Sequence, residues 1–159
     1  DIDQMRSTFT ELATLLLGDA KQAKSFMSKA KLHSMEELED SWWNLYEKLL
    51  STGRAVELSL KIELEDFLYN VQKLIHNKNL STDENLTGDV SIDTSAFDDS
   101  QCIGDWCAHF NSTWKNHKLV GMDIGTDSLV LMVLSNEEFK RAQELAKELL
   151  HRIDVAERL

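Results

Sequence analysis

Proline is absent from all 159 residues, no internal repeat recurs, and no stretch has the composition of an interdomain linker. The chain reads as one domain, at a length where a globule buries roughly 70% of its unfolded surface and needs no staples. Long hydrophobic runs are also missing. The longest, Leu129 to Leu134, suits a buried strand and falls well short of the roughly 18 residues needed to cross a bilayer. The only thiols are Cys102 and Cys107, five residues apart in a segment read as helix, where that spacing sets them about 140° apart around the axis. They read as reduced, mostly buried thiols of a cytoplasmic protein, since disulfides belong to oxidising compartments. The chain opens at Asp1 rather than methionine, which leaves a removed signal peptide open. Sequons at Asn79, Asn85 and Asn111 read as chance in a chain rich in Asn, Ser and Thr.

Positive charge is scarce. Seventeen basic residues face twenty-eight acidic ones, a net charge of −11, which argues against a protein that grips a phosphate backbone. Neither nucleic acid nor a membrane is an expected partner. The location of the charge says more than its sum. Between Asn79 and Trp114 stand seven acids, Asp83, Glu84, Asp89, Asp93, Asp98, Asp99 and Asp105, with no lysine or arginine among them. A solvated, solubilising loop would account for them. The alternative is a docking surface for a cationic protein, where clustered carboxylates steer association and exclude wrong partners. An EF-hand is not indicated, because its alternate-residue acids and sixth-position glycine are missing.

Hydrophobic periodicity orders the rest. Ile2, Met5, Phe9, Leu12 and Leu16 recur at helical intervals up to Gly18, a left-handed cap. Asp19 is the expected N-cap of a short basic helix reaching Leu32, and Ser34 with Glu37 opens a third helix through Leu38, Trp42, Leu45 and Leu49 to Gly53. From Arg54 to Glu63 the period changes to two, as in a strand with one wet face. Helical spacing returns from Leu64 to His76. Asn79 to Asp99 reads as a long surface connection, with a short extended piece at Val90 and Ile92. Ile103, Trp106, Phe110 and Trp114 mark a helix from Ser100 to Lys115. Leu119–Ile124 and Leu129–Leu134 flank Gly125-Thr126-Asp127-Ser128 as a β-hairpin whose second strand is apolar on both faces and therefore central. Ser135 and Glu138 repeat the capping box before a last helix that carries Phe139, Ala142, Ala146, Leu149 and Ile153.

The expected fold is α+β: a three-stranded antiparallel sheet from Arg54–Glu63, Leu119–Ile124 and Leu129–Leu134, covered by five or six helices. A helical N-terminal part, 1–53, precedes a sheet-containing part, 54–159.

Gly121-Met122-Asp123-Ile124-Gly125-Thr126-Asp127-Ser128 resembles the first phosphate loop of the actin, Hsp70 and sugar-kinase superfamily, which implies backbone N–H groups and a hydroxyl meeting nucleotide phosphates. Those proteins place the hairpin at the start of a two-lobed domain, whereas about 25 residues follow it here. A plain hairpin turn, with Asp123 on its wet face, explains the same residues. Five histidines show no metal-ligand spacing, and Cys107 and His109 fall on opposite sides of a helix. No P-loop, nucleophile elbow or dinucleotide fingerprint occurs. Three of the four tryptophans sit on core stripes, which leaves Trp43 as the one expected to be partly exposed.

The alternating strand and its helix, the acidic connection, Trp106 within a helix, and Met122-Asp123 through Ser128-Leu129 leading to an apolar strand resemble a family of small bacterial proteins classed only as a domain of unknown function. The resemblance runs over about residues 54–153 and leaves the first three helices outside. It implies a bacterial cytosolic α+β protein and brings no catalytic residues. The expected function is a non-enzymatic, immunity-type or regulatory domain that binds a basic protein such as a toxin through the acids named above, with no cofactor. The alternative is a small enzyme or nucleotide-binding protein using the Asp123-Gly125-Thr126-Asp127 turn.

Overall fold

Helix boundaries follow the capping chemistry written in the sequence. The computed structural model describes residues 1–80 and 90–159. Its helices are α1 (Ile2–Leu17), α2 (Ala20–Lys29), α3 (Met35–Ser51), α4 (Leu64–Asn77), α5 (Ile103–Thr113) and α6 (Asn136–Glu148). Asp1 accepts the Asp3 amide at the start of α1, and Gly18 closes that helix at φ 68°. Asp19 then takes the Lys21 and Gln22 amides. Ser34 accepts the Glu37 amide, while the Glu37 carboxylate turns to the His33 amide instead of completing the box. Ser135 and Glu138 make the full reciprocal pair.

The sheet has four strands, β1 (Val56–Leu58), β2 (His117–Met122), β3 (Leu129–Ser135) and β4 (Ile153–Val155), in the order β1-β3-β2-β4 with every pair antiparallel. Strand β3 is central and dry on both sides, as its composition requires. Val130, Met132 and Leu134 pack with α1, α2, α3 and α6, while Leu129, Leu131 and Val133 pack with α4 and α5. Each layer buries aromatic or aliphatic anchors completely: Phe9, Leu12 and Leu45 on one side, Phe67 and Phe110 on the other.

Two strand expectations are corrected. The strand read over Arg54–Glu63 shortens to Val56–Leu58, because Ser59 folds its hydroxyl back onto the Lys61 amide and accepts the Ile62 amide at its carbonyl. Leu60, counted on the apolar face, is exposed. The last helix ends at Glu148 rather than carrying Ile153, and the residues after it form the fourth strand. What stops it is a Schellman cap: the His151 amide reaches the Ala146 carbonyl, and Leu150, at φ 63°, gives its amide to Lys147. Glycine usually holds that left-handed position. Here it is a leucine whose side chain is 85% exposed.

Helix α5 is also shorter than read. Cys102 is its N-cap rather than a helical residue, and Trp114 its C-cap. Val90 and Ile92 belong to no strand; they pack into the core beneath α4 and α5.

Two substitutions separate these backbone effects. Leu150→Gly relieves the left-handed strain and removes no buried surface, so stability should be unchanged or higher by up to about 1 kcal/mol. Gly53→Ala should lower it by about 2 kcal/mol, because residue 53 sits at φ 74° and a Cβ there would lie 2.5 Å from the Asn77 amide that donates to its carbonyl. Urea midpoints at unchanged m-value report both.

Candidate functional site

The acidic connection is held from beneath by apolar and indole contacts. Val90 is fully buried, and Phe97 packs edge-on against His109 and tilted against Phe110. Trp106 donates its indole N–H to the Asp98 carbonyl at 2.9 Å, and Trp114 donates to Ser91 at 3.1 Å. Two of the tryptophans read as core are thus also the pegs that hold this backbone.

Its carboxylates point outward. Asp93 accepts the Ser95 amide and hydroxyl, Asp98 those of Ser100, and Asp105 the Cys102 amide and thiol, while Asp99 is simply exposed. These bonds hold the acids below the usual carboxylate range: the Ser95 hydroxyl acts foremost on Asp93, the Ser100 amide on Asp98 and the Cys102 thiol on Asp105. No ion pair neutralises any of the four among the described residues. Asp83, Glu84 and Asp89 lie outside the described residues.

The hairpin turn presents a different picture. Asp123 takes the Gly125 amide at 2.8 Å, Thr126 and Ser128 share a hydrogen bond, and Ser128 donates to the Glu57 carboxylate. Glu57 projects from β1 onto the α3 side, where the Tyr46 hydroxyl donates to its other oxygen. The amide at Gly125 is therefore already satisfied by a carboxylate. A second carboxylate backs the hydroxyl, and both would repel a phosphate. Asp127 is exposed.

Beside this turn lies a cleft of about 390 Å³ between α3, the β2–β3 turn and the α6–β4 turn. Its floor is Trp42, stacked on His151 at 4.1 Å and donating to the Asp123 carbonyl at 3.0 Å. Trp43, 42% exposed, and Leu150 form its walls. Glu39, bonded to His151 at 2.9 Å, and Asp123 stand at the rim. The sequence marked Trp43 as partly exposed and gave no hint of Leu150, whose left-handed backbone no residue type announced.

A family model described as domain of unknown function DUF6630 matches residues 8–156. The chain belongs to that family. The match extends the likeness read over 54–153 back into α1, so the three N-terminal helices are part of the family's unit rather than an addition to it. No curated protein and no solved structure is significantly similar to the chain.

Among the described residues no three His, Cys, Asp or Glu side chains converge as a metal site, and no helix is long and apolar enough to cross a membrane. Cys107 is buried, and burial pushes its thiol up to about 12, so it stays protonated and makes a poor nucleophile. Cys102 is exposed and hydrogen-bonded to Asp105.

The Tyr46–Glu57–Ser128 chain makes a pH prediction at both ends. The hydrogen bond to Glu57, with burial, raises the Tyr46 phenol to about 12, so its contribution is complete below about pH 10 and is lost as pH climbs toward 12. Glu57 is lowered, first by the Ser128 hydroxyl and then by Tyr46, so its contribution holds above the ordinary carboxylate value and is lost as pH falls through the lowered one. Denaturant midpoints should therefore fall less steeply between pH 10 and about 12 in Tyr46→Phe, and less steeply in acid in Glu57→Gln, than in the unaltered protein.

Proposed function

We propose that this is a non-enzymatic acidic protein-binding domain of the immunity or regulatory type, acting in the bacterial cytoplasm on a basic protein such as a toxin. The observation that carries this reading is the state of Asp93, Asp98, Asp99 and Asp105. All four are exposed, and none is in an ion pair among the described residues. They sit on backbone fixed by two indole N–H bonds and by Phe97. Fixed like charges repel one another, and a cationic surface relieves that repulsion. A preorganised arrangement also loses less entropy on binding than a mobile loop would.

The local caps determine how this should be tested. Lysine at Asp93 or Asp98 would reverse charge but also remove a turn acceptor, whereas asparagine keeps the acceptor and removes only the charge. Partners captured from the source cell with the unaltered protein can be compared on Asp93→Asn/Asp98→Asn/Asp99→Asn by stopped flow at low and high salt. The neutralised protein should associate roughly tenfold more slowly at low salt and show a flatter salt dependence. An unchanged rate and salt slope would make the connection a solubilising loop.

Under the same reading the purified protein turns over no generic ester, phosphomonoester, nucleic acid or ATP substrate. Turnover that disappears in Asp123→Asn or Asp127→Asn would put the turn in charge and replace the binding function with the enzymatic one.

A further inference from the structure

The cleft beside the hairpin turn stands apart from the acidic connection, because α3 and α6 cover one face of the sheet and α5 the other. Its composition is specific. An indole and an isobutyl group are offered to solvent across a floor made rigid by the Trp42–His151 stack and the Trp42 bond to the Asp123 carbonyl. Trp43 is supported edge-on by Tyr46 at 4.9 Å, so its ring plane is held. Leu150 occupies a backbone conformation that a glycine would hold with less strain, yet exposes nearly all of its side chain. Such strain is characteristic of positions where the side chain has work outside the fold.

The charge around this apolar pair is mostly negative. Glu39 and Glu47 stand one turn to either side of Trp43 on α3, Glu36 and Asp40 are exposed on the same helix, and Asp123 faces it across the cleft. The one arginine lining the cleft, Arg152, is already engaged by Asp154 and by the Arg158 carbonyl. An exposed indole ringed by carboxylates matches a guanidinium, which stacks face-on over an aromatic ring and keeps in-plane N–H donors free for carboxylates at its edge. We propose that this cleft binds an arginine side chain presented by a basic protein segment. The guanidinium lies over Trp43, its donors reach Asp123 and Glu39, and an aliphatic neighbour of the arginine covers Leu150.

This site goes beyond the acidic connection and can fail independently of it. The probe is the pentapeptide acetyl-Gly-Leu-Arg-Leu-Gly-amide, titrated at millimolar concentration and low salt against the labelled full chain, with the Trp43 indole N–H and Leu150 methyl resonances as reporters. The same peptide with citrulline in place of arginine is isosteric and neutral. The expected result is saturable shifts at Trp43, Leu150 and Asp123 for the arginine peptide, with at least about tenfold weaker binding for citrulline and for Trp43→Ala. Leu150→Gly, which keeps the cap geometry, should weaken binding a few-fold without loss of fold. Equal binding of the citrulline peptide would overturn the proposal, as would affinity unaffected by both Trp43→Ala and Leu150→Gly. Shifts confined to amides 91–100 would overturn it too, while leaving the acidic-connection reading standing.

Discussion

A strand that is apolar on both faces must have both faces covered, and β3 imposes that condition on every other element. Its six residues from Leu129 to Leu134 are all buried and alternate strictly between two cores. Each large aliphatic or thioether side chain on such a strand is worth about 1.5–3 kcal/mol when withdrawn from water. The sheet therefore carries helices on both faces, although all its pairings are antiparallel, a class that often leaves one face wet. Placing β3 second in the order β1-β3-β2-β4 leaves the short, three-residue strands at the edges. Short edges give another chain little to pair with.

The second organising feature is how the protein distributes its scarce cations. Arg141 bridges Glu11 and Glu144, Lys78 meets Glu138 at 2.7 Å, Arg6 meets Asp3, and Arg152 meets Asp154. The Arg141–Glu11 pair ties α1 to α6 and the Lys78–Glu138 pair ties the end of α4 to the start of α6, while the others are local. On α3, Glu37 and Glu39 meet only histidines, His33 and His151, and among the described residues Asp93, Asp98, Asp99 and Asp105 enter no ion pair. A net charge of −11 spread evenly would serve dispersal alone, but this arrangement produces two localised fields, one on each side of the sheet.

How much of this was legible depended on whether local chemistry and hydrophobic period agreed. The starts of the helices capped by Asp19, Ser34 and Ser135 could be placed closely, because a capping residue stands just before each apolar stripe. The central strand was legible from composition, since no helix of that length would be bounded by Asp-Ser and a capping serine. Strand β1 was overread: alternation continued through Ile62, but the serine at 59 formed a turn that period alone does not weigh. Strand β4 was invisible, because Ile153 falls in helical phase with Leu149 and the residue that breaks the helix is a leucine. The acids were legible from composition. Their attachment was not, since it depends on indole bonds that meet across 8 and 23 residues of chain.

The same residues explain why the connection can be both structured and charged. An aspartate in a turn usually offers its oxygen to the backbone two residues on, a role that asks for an acceptor and not for a charge. Asparagine would fill that role equally well. Asp93 and Asp98 each cap a serine in this way, yet the carboxyl form is what the sequence uses, with Asp99 beside them capping nothing among the described residues. The caps lower the acids and so favour their ionised form, which strengthens the local field rather than relieving it. Turn geometry accounts for the oxygen at each position. It does not account for the charge, and the excess of carboxylate over what the turns require is the part of this surface on which the proposed cationic partner rests.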